Sequence, residues 1–244
     1  MTIAVRPKTG ERTADGERRD RLMNIVYLIG AGPGDPGLIT VRGLQCLATA
    51  DVVLYDHLVL AAPAARTRAP DAEKIDVGVA APQPLEQEAI CYLLAEKARE
   101  GKTVARLKWG DPFVFDRGGA EALFLHEQGV RFEVVPGIPA GIAVPTYAGV
   151  PITYPGGGDT LTFVRGHEDE GKSSASIDWA SLRATRRHDR LLRGSAAAAA
   201  HPDRARRARP ADRRFRRAWS TTARCRSQET LDGTLEEIAK RDRA

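Results

Sequence analysis

The 244 residues are 42% hydrophobic with a formal net charge of +5, which suits one large or two small packed domains and excludes a fibrous or wholly disordered chain. No apolar run approaches the roughly 18–20 residues that span a bilayer, and the polar first 22 residues lack the apolar core of a secretory signal. Cys46, Cys91 and Cys225 are odd in number and far apart, which excludes a CxxC metal or redox site and fits a reducing, cytoplasmic setting.

Residues 1–23 form a polar lead-in without periodicity, expected to be disordered, and regular pattern begins at Asn24. Ile25-Val26-Tyr27-Leu28-Ile29 predicts a buried strand that ends in a glycine-rich loop, Gly30 to Gly37. Thr40 can cap a helix with Val41, Leu44, Leu47 and Ala48 on one face. Val52 to Tyr55 predicts a second strand ending at Asp56, and Ile75-Asp76-Val77 a weaker third. Leu85 to Arg99 predicts a helix with Ala89, Ile90, Leu93, Leu94 and Ala98 inward and Gly101 as its stop. Thr103 to Leu107 is the next strand, Lys108 to Arg117 a loop, Ala120 to Gln128 a helix closed by Gly129, and Phe132 to Val135 a strand. This alternation argues for βαβ units and a largely parallel sheet over 24–136. Pro136-Gly137 breaks the pattern, so a second α/β domain is expected to begin over 137–182, with a strand at Thr160 to Val164 and a helix starting at Ile177 to Leu182.

From Arg183 to Arg226 the pattern stops. That stretch holds 15 Arg against 3 Asp, a surplus of +12 that exceeds the +5 of the whole chain, so the remainder is net acidic. Its large apolar residues are only Leu191, Leu192, Phe215 and Trp219, too few to offset ordering entropy by burial. Ordinary sequence returns over 227–244, where Thr234-Leu-Glu-Glu237 has capping-box spacing.

Three constellations carry chemistry. Gly30-Ala-Gly-Pro-Gly-Asp-Pro-Gly37 follows a strand and precedes a helix, but a dinucleotide loop of G-x-G-x-x-G type needs glycine where Asp35 stands. Pro33 also offers an anion no N–H; a tight turn is the plain alternative. Arg106-Leu-Lys-Trp-Gly-Asp-Pro-Phe-Val-Phe-Asp-Arg-Gly-Gly119 turns at the carboxyl end of a parallel strand, where open α/β sheets bind ligands. Its basic residues would suit a substrate rich in carboxylates, or it is a charged solvated loop. Val135-Pro-Gly-Ile-Pro-Ala-Gly141 and Ala148-Gly-Val-Pro-Ile152 are dense in small residues, which let a backbone approach a ligand or serve as a connector.

In this order and spacing, together with Tyr55-Asp56-His57-Leu58-Val59, the three resemble the tetrapyrrole methylase family, over about Val26 to Leu182 and faintly over Gln228 to Ile238. The resemblance implies the two-domain α/β fold of class III S-adenosylmethionine-dependent methyltransferases, here with an incomplete second domain, the cofactor in the cleft between domains, and a homodimer. It also implies methylation of uroporphyrinogen III at two pyrrole carbons to give precorrin-2, at the branch toward sirohaem and cobalamin. The family's cofactor contacts fall on Pro33, Trp109, Gly110, Asp111, Val114, Pro139 and Ala140, and its proposed proton acceptor on Asp56. Asp111 can meet the cofactor's hydroxyl or ammonium groups. Other methyltransferases of this fold, acting on precorrins, protein or RNA, remain alternatives, as does a non-catalytic protein that binds acidic partners through its Arg-rich segment.

The sequence departs from the family at several points. A Lys-Arg pair usually follows Val-Gly after the third strand, but Val77-Gly78 is followed by Val79-Ala80, which takes the usual cationic neighbour from Asp56. Trp109, Asp116 and Pro139 stand where the family has Gly, Gly and Thr. Arg183–Arg226 replaces sequence that contributes further cofactor contacts, which points to translation out of frame, because GC-rich codons misread by one base give mainly Arg, Ala, Pro and Gly. A basic segment for nucleic acid is the competing reading; it is disfavoured because the block interrupts a domain, and family-like sequence resumes after it. A frame displaced by one base over codons 183–226 is expected to encode strand–helix periodicity rich in Val, Ile and Leu; sequencing the gene and finding low-complexity sequence in both other frames would exclude this origin.

Overall fold

The computed structural model describes residues 25–56, 71–78, 84–155, 160–165 and 188–193, and the chain divides into two compact units, Met1–Pro139 and Ala140–Ala244. The first unit is built on strands β1 (Ile25–Gly30), β2 (Val52–Tyr55), β3 (Glu73–Asp76), β4 (Val104–Lys108) and β5 (Arg131–Val135). They form one sheet in the order β3-β2-β4-β1-β5, and every pairing in it is parallel. β1, β2 and β4 are buried throughout, as continuous apolar runs must be when helices cover both faces of a parallel sheet.

Strand alternation sorts the side chains into two layers. Tyr27, Ile29, Val53, Tyr55, Ala105 and Leu107 face one side, where they pack with Cys46 and Leu47 of helix α1 (Val41–Ala48). Val26, Leu28, Val52, Leu54 and Val104 face the other, against Ile90, Leu94 and Ala95 of α2 (Gln87–Arg99) and Ala122 and Leu125 of α3 (Gly118–Glu127). α2 and α3 are followed by Gly101 and Gly129, both at positive φ, the stops read from the sequence.

The Thr40 cap forms, its hydroxyl oxygen accepting from Gly43 N at 3.1 Å. The buried face of α1 differs from the one expected: Gly43, Cys46 and Leu47 are buried, whereas Val41 is 72% exposed. Gly43 sets this rotation, because a Cβ there would lie 3.1 Å from both Ile29 Cγ2 and Ile39 Cγ1, so the helix approaches β1 along its smallest residue. In α2, Ile90, Leu94 and Ala98 are buried as expected, together with Cys91 and Ala95; Ala89 is exposed.

The second unit contains α4 (Ala140–Tyr147) and two strands, β6 (Thr160–Arg165) and β7 (His188–Arg193), paired in parallel from Thr160↔His188 to Arg165↔Arg193. The sequence reading gave no helix at 140–147, because Gly141 and Pro145 weaken helical propensity. Pro145 lacks an N–H for the ladder, while Thr146 Oγ1 donates to Ile142 O at 2.8 Å. β7 lies inside the stretch where no element was expected; its register sets Leu191 opposite Phe163 and Leu192 opposite Val164. The segments 1–23, Ile177–Leu182 and 227–244 lie outside the described residues. No helix of the described residues is long and apolar enough to cross a membrane. Thr40→Ala is expected to lower stability by about 1 kcal/mol through loss of the cap, read as a lower urea midpoint at unchanged slope.

Candidate functional site

Parallel pairing brings the carboxyl ends of all five strands to one rim, the usual ligand edge of an open α/β sheet. At that rim β1 ends in Gly30, while Gly110 and Gly137 each lie two residues beyond the ends of its neighbours β4 and β5. A Cβ on Gly137 would overlap the Gly110 carbonyl and lie 2.7 Å from Gly30 Cα, and one on Gly30 would lie 2.6 Å from Gly110 O. Three loops therefore touch through bare main chain. Ala31 N donates to Lys108 O at 2.9 Å, and Gly32 and Gly110 exchange hydrogen bonds of 3.2 and 2.9 Å. Asp111 closes the junction: its Oδ2 accepts from Gly137 N at 3.0 Å and its Oδ1 from Phe113 N at 2.8 Å.

Most of the candidate cofactor residues gather at this junction. Pro33 is buried one residue beyond Gly32, Gly110 is buried, and Asp111 and Val114 are half-buried in the loop after β4, where Val114 N donates to Asp111 O at 3.3 Å. Trp109 is half-buried and packs on the apolar layer that contains Ile29, Tyr55 and Leu107. Pro139 ends the first unit; Ala140 opens α4 in the second and is described with that unit.

Beside the junction lies a buried charge network that the sequence reading missed. In β4, Arg106 and Lys108 share a face with Val104, while Ala105 and Leu107 take the other. Both charges therefore point into the layer beneath α2 and α3, at 2% and 1% exposure. Glu121, in the first turn of α3 and wholly buried, meets both: Lys108 Nζ donates to its Oε1 at 2.9 Å and Arg106 Nε at 3.3 Å. Gln87 Nε2 donates to the same oxygen at 3.2 Å. Arg106 Nη2 donates to Asp56 Oδ1 at 2.8 Å and its Nη1 to Leu107 O at 3.1 Å. Lys108 also pairs with Asp116 at 3.2 Å.

Two expectations change here. Asp56 has a cationic neighbour after all, supplied by the adjacent strand: Leu54 is in register with Arg106, which sets Asp56 beside the guanidinium. The positions 79 and 80, where the family's pair would stand, lie outside the described residues. Arg106 and Lys108 are likewise not held out for a carboxylate-rich substrate, since internal carboxylates engage both. Strand parity was the available signal, because a charged residue every second position beside Val104 falls on the buried face. Asp116, in place of the family's glycine, belongs to this network.

Burial alone would drive the Arg106 guanidinium toward neutrality; the Glu121 and Asp56 carboxylates outweigh it and raise its pKa. Burial would raise Glu121, but Arg106 and Lys108 win and hold its carboxyl below the usual range. Cys46 and Cys91 are buried free thiols, and burial pushes Cys46 up to about 11, which leaves it a packing residue at neutral pH.

Residues 25–239 match the family profile described as Tetrapyrrole (Corrin/Porphyrin) Methylases. A relative from Methanosarcina barkeri named S-adenosyl-L-methionine-dependent uroporphyrinogen III methyltransferase is 47% identical over 158 residues, covering 64% of this chain and 62% of the relative. A uroporphyrinogen-III C-methyltransferase from Synechocystis is 48% identical over 162 residues, covering 66% and 61%. The chain thus spans less than two thirds of those relatives' length. Among solved structures, a uroporphyrin-III C-methyl transferase from Thermus thermophilus complexed with S-adenyl homocysteine superposes with a TM-score of 0.70 at 34% identity, covering 89% of this chain and 91% of that one. A cobalt precorrin-4 methyltransferase, at 24% identity and a TM-score of 0.77 over 96% of this chain and 92% of its own, shares the fold.

Because Glu121 titrates below its ordinary value of 4.5 in the folded state, its stabilisation is complete above that value and is lost as pH falls through the depressed one. Glu121→Gln is expected to destabilise the protein by about 3–5 kcal/mol at neutral pH, as for any buried pair losing one partner. The gap to wild type should narrow in urea melts repeated below that value.

Proposed function

The chain belongs to the tetrapyrrole methylase family, and on that premise we propose that it transfers methyl groups from S-adenosylmethionine to pyrrole carbons of uroporphyrinogen III, giving precorrin-2 for sirohaem and cobalamin synthesis. The observation that carries this reading is the 47–48% identity to relatives named for that reaction. The identity spans about two thirds of this chain.

The residues present fit the cofactor. S-adenosylmethionine carries no phosphate, so a loop whose fourth residue is Pro33 loses nothing by lacking that N–H. Pro33, Trp109, Gly110, Asp111, Val114, Pro139 and Ala140 would hold it. Asp111 spends one lone pair of each oxygen on the junction and keeps others for a hydroxyl or ammonium donor. Gly30, Gly110 and Gly137 keep side chains out of the rim. When bound, the cofactor supplies a sulfonium methyl that an electron-rich pyrrole carbon takes up, the carbon–sulfur pair staying on sulfur.

Asp56 is the proton acceptor in this reading. The apolar run of β2 delivers its carboxylate to the rim, where its side chain is 30% exposed, enough for access. The methylated ring must lose a proton to recover its conjugation, and a carboxylate at the sheet edge can take it. We further propose a homodimer, a cytoplasmic setting, and a domain division over 24–136 and 137–182.

Incubation with S-adenosylmethionine and uroporphyrinogen III should accumulate methylated product, detected after oxidation as a fluorescent porphyrin; its absence would refute the substrate assignment. Asp56→Asn keeps the shape and removes the base, so the methylation rate should fall by about 10²-fold or more, while calorimetric affinity for S-adenosylmethionine stays unchanged. A wild-type rate in this variant would remove Asp56 from the mechanism.

A further inference from the structure

Arg106 is costly where it stands. A guanidinium at 2% exposure has left water, at a penalty of several kcal/mol per buried ion before compensation. An apolar side chain of similar volume, facing the layer of Leu28, Leu54 and Leu94, would fill the space without it, and such replacements are often neutral or stabilising. The network is not arranged for stability alone. Lys108, Arg106 and Gln87 all donate to one oxygen of Glu121, while its other oxygen, Oε2, is buried with no hydrogen-bond partner among the described residues. A wholly buried carboxylate with an idle oxygen is itself destabilising.

The placement of the donors suggests what this arrangement accomplishes. Nε of Arg106 is fixed by Glu121, Nη1 by the Leu107 carbonyl, and Nη2 is left pointing at Asp56 Oδ1 at 2.8 Å. Among the described residues, Arg106 holds Oδ1 of Asp56 and no partner meets Oδ2. A planar guanidinium gripped on two sides cannot rotate, and it fixes the carboxylate it meets.

We propose that Arg106 is a positioning residue for methyl transfer: anchored by Glu121, it ties down Oδ1 of Asp56 and so aims Oδ2 at the proton to be removed. The inference rests on the substrate and base assignments above. It assigns a reaction role to two residues, Arg106 and Glu121, that are buried beneath the rim. Glu121 anchors the guanidinium from the first turn of α3, and Lys108 balances Glu121.

The test is a double-mutant cycle on the full chain, in wild type, Arg106→Lys, Asp56→Asn and the double variant, reading kcat and S-adenosylmethionine affinity. A lysine keeps the charge but not the fixed fork. Arg106→Lys should lower kcat by about 10-fold or more, and in the Asp56→Asn background the same change should shift kcat by less than about 2-fold, since residues that act as one unit are non-additive. Cofactor affinity should stay within about 2-fold throughout, as for a group acting only in the chemical step. Multiplying losses, or a loss expressed in cofactor affinity and not in kcat, would overturn the role. Should Arg106→Lys melt below the assay temperature, the pair Arg106→Met with Glu121→Gln, which removes the cation together with its counter-carboxylate, goes through the same cycle with the same expectation. A wild-type chain that forms no methylated product overturns the substrate reading and this role together. An active chain with additive losses overturns this role alone.

Discussion

A cation buried in a central strand must be answered by carboxylates from the elements around it, and much of the rim follows from that demand. β4 lies between β2 and β1, with helices over both faces, so Arg106 and Lys108 have no route to solvent. β2 answers with Asp56, α3 with Glu121, and the loop between β4 and α3 with Asp116. Glu121 occupies the first turn of α3, where the helix dipole favours an anion. The charges thus fix the start of α3 over β4 and brace the end of β2 against its neighbour.

The sheet was largely legible in the sequence because its signals are local. Ile25 to Ile29 is an uninterrupted apolar run, Thr40 is followed by its helix, and Gly101 and Gly129 mark real stops. Where the reading fell short, the missing information was relational. Val41 and Leu44 look like a core face until Gly43 is seen to meet Ile29 and Ile39. α4 was hidden by Pro145 and its glycine, and β7 by the arginines in its sequence.

The candidate site divides in the same way. The glycine–proline loop and Trp109-Gly110-Asp111 are contiguous motifs, and the fold sets Pro33, Gly110 and Asp111 around one junction. Arg106 and Lys108 were visible too, at the end of the expected strand and the start of its loop, but were read as charges open to a carboxylate-rich substrate or to solvent. Their burial is a matter of strand parity, and their partners sit 50 and 13 residues away. Glu121, in a helix whose sequence marks out no apolar face, gave no sign of its own. The departures from the family also read differently in three dimensions. Asp116 joins the network through Lys108, and Trp109 packs on the apolar layer below it.

The glycine junction constrains how this rim could be redesigned. Loops that meet through side chains can be exchanged one at a time, since a neighbour can repack around a new residue. Here the Gly137 and Gly30 backbones lie against the Gly110 carbonyl with no side chain between them, and Asp111 bonds the Gly137 amide directly. A transplant that moves the chain after β5 by even an ångström would break that bond or collide with main chain in two other loops. Grafting ligand preference from another protein of this fold would therefore require transferring the segments after β1, β4 and β5 as one block.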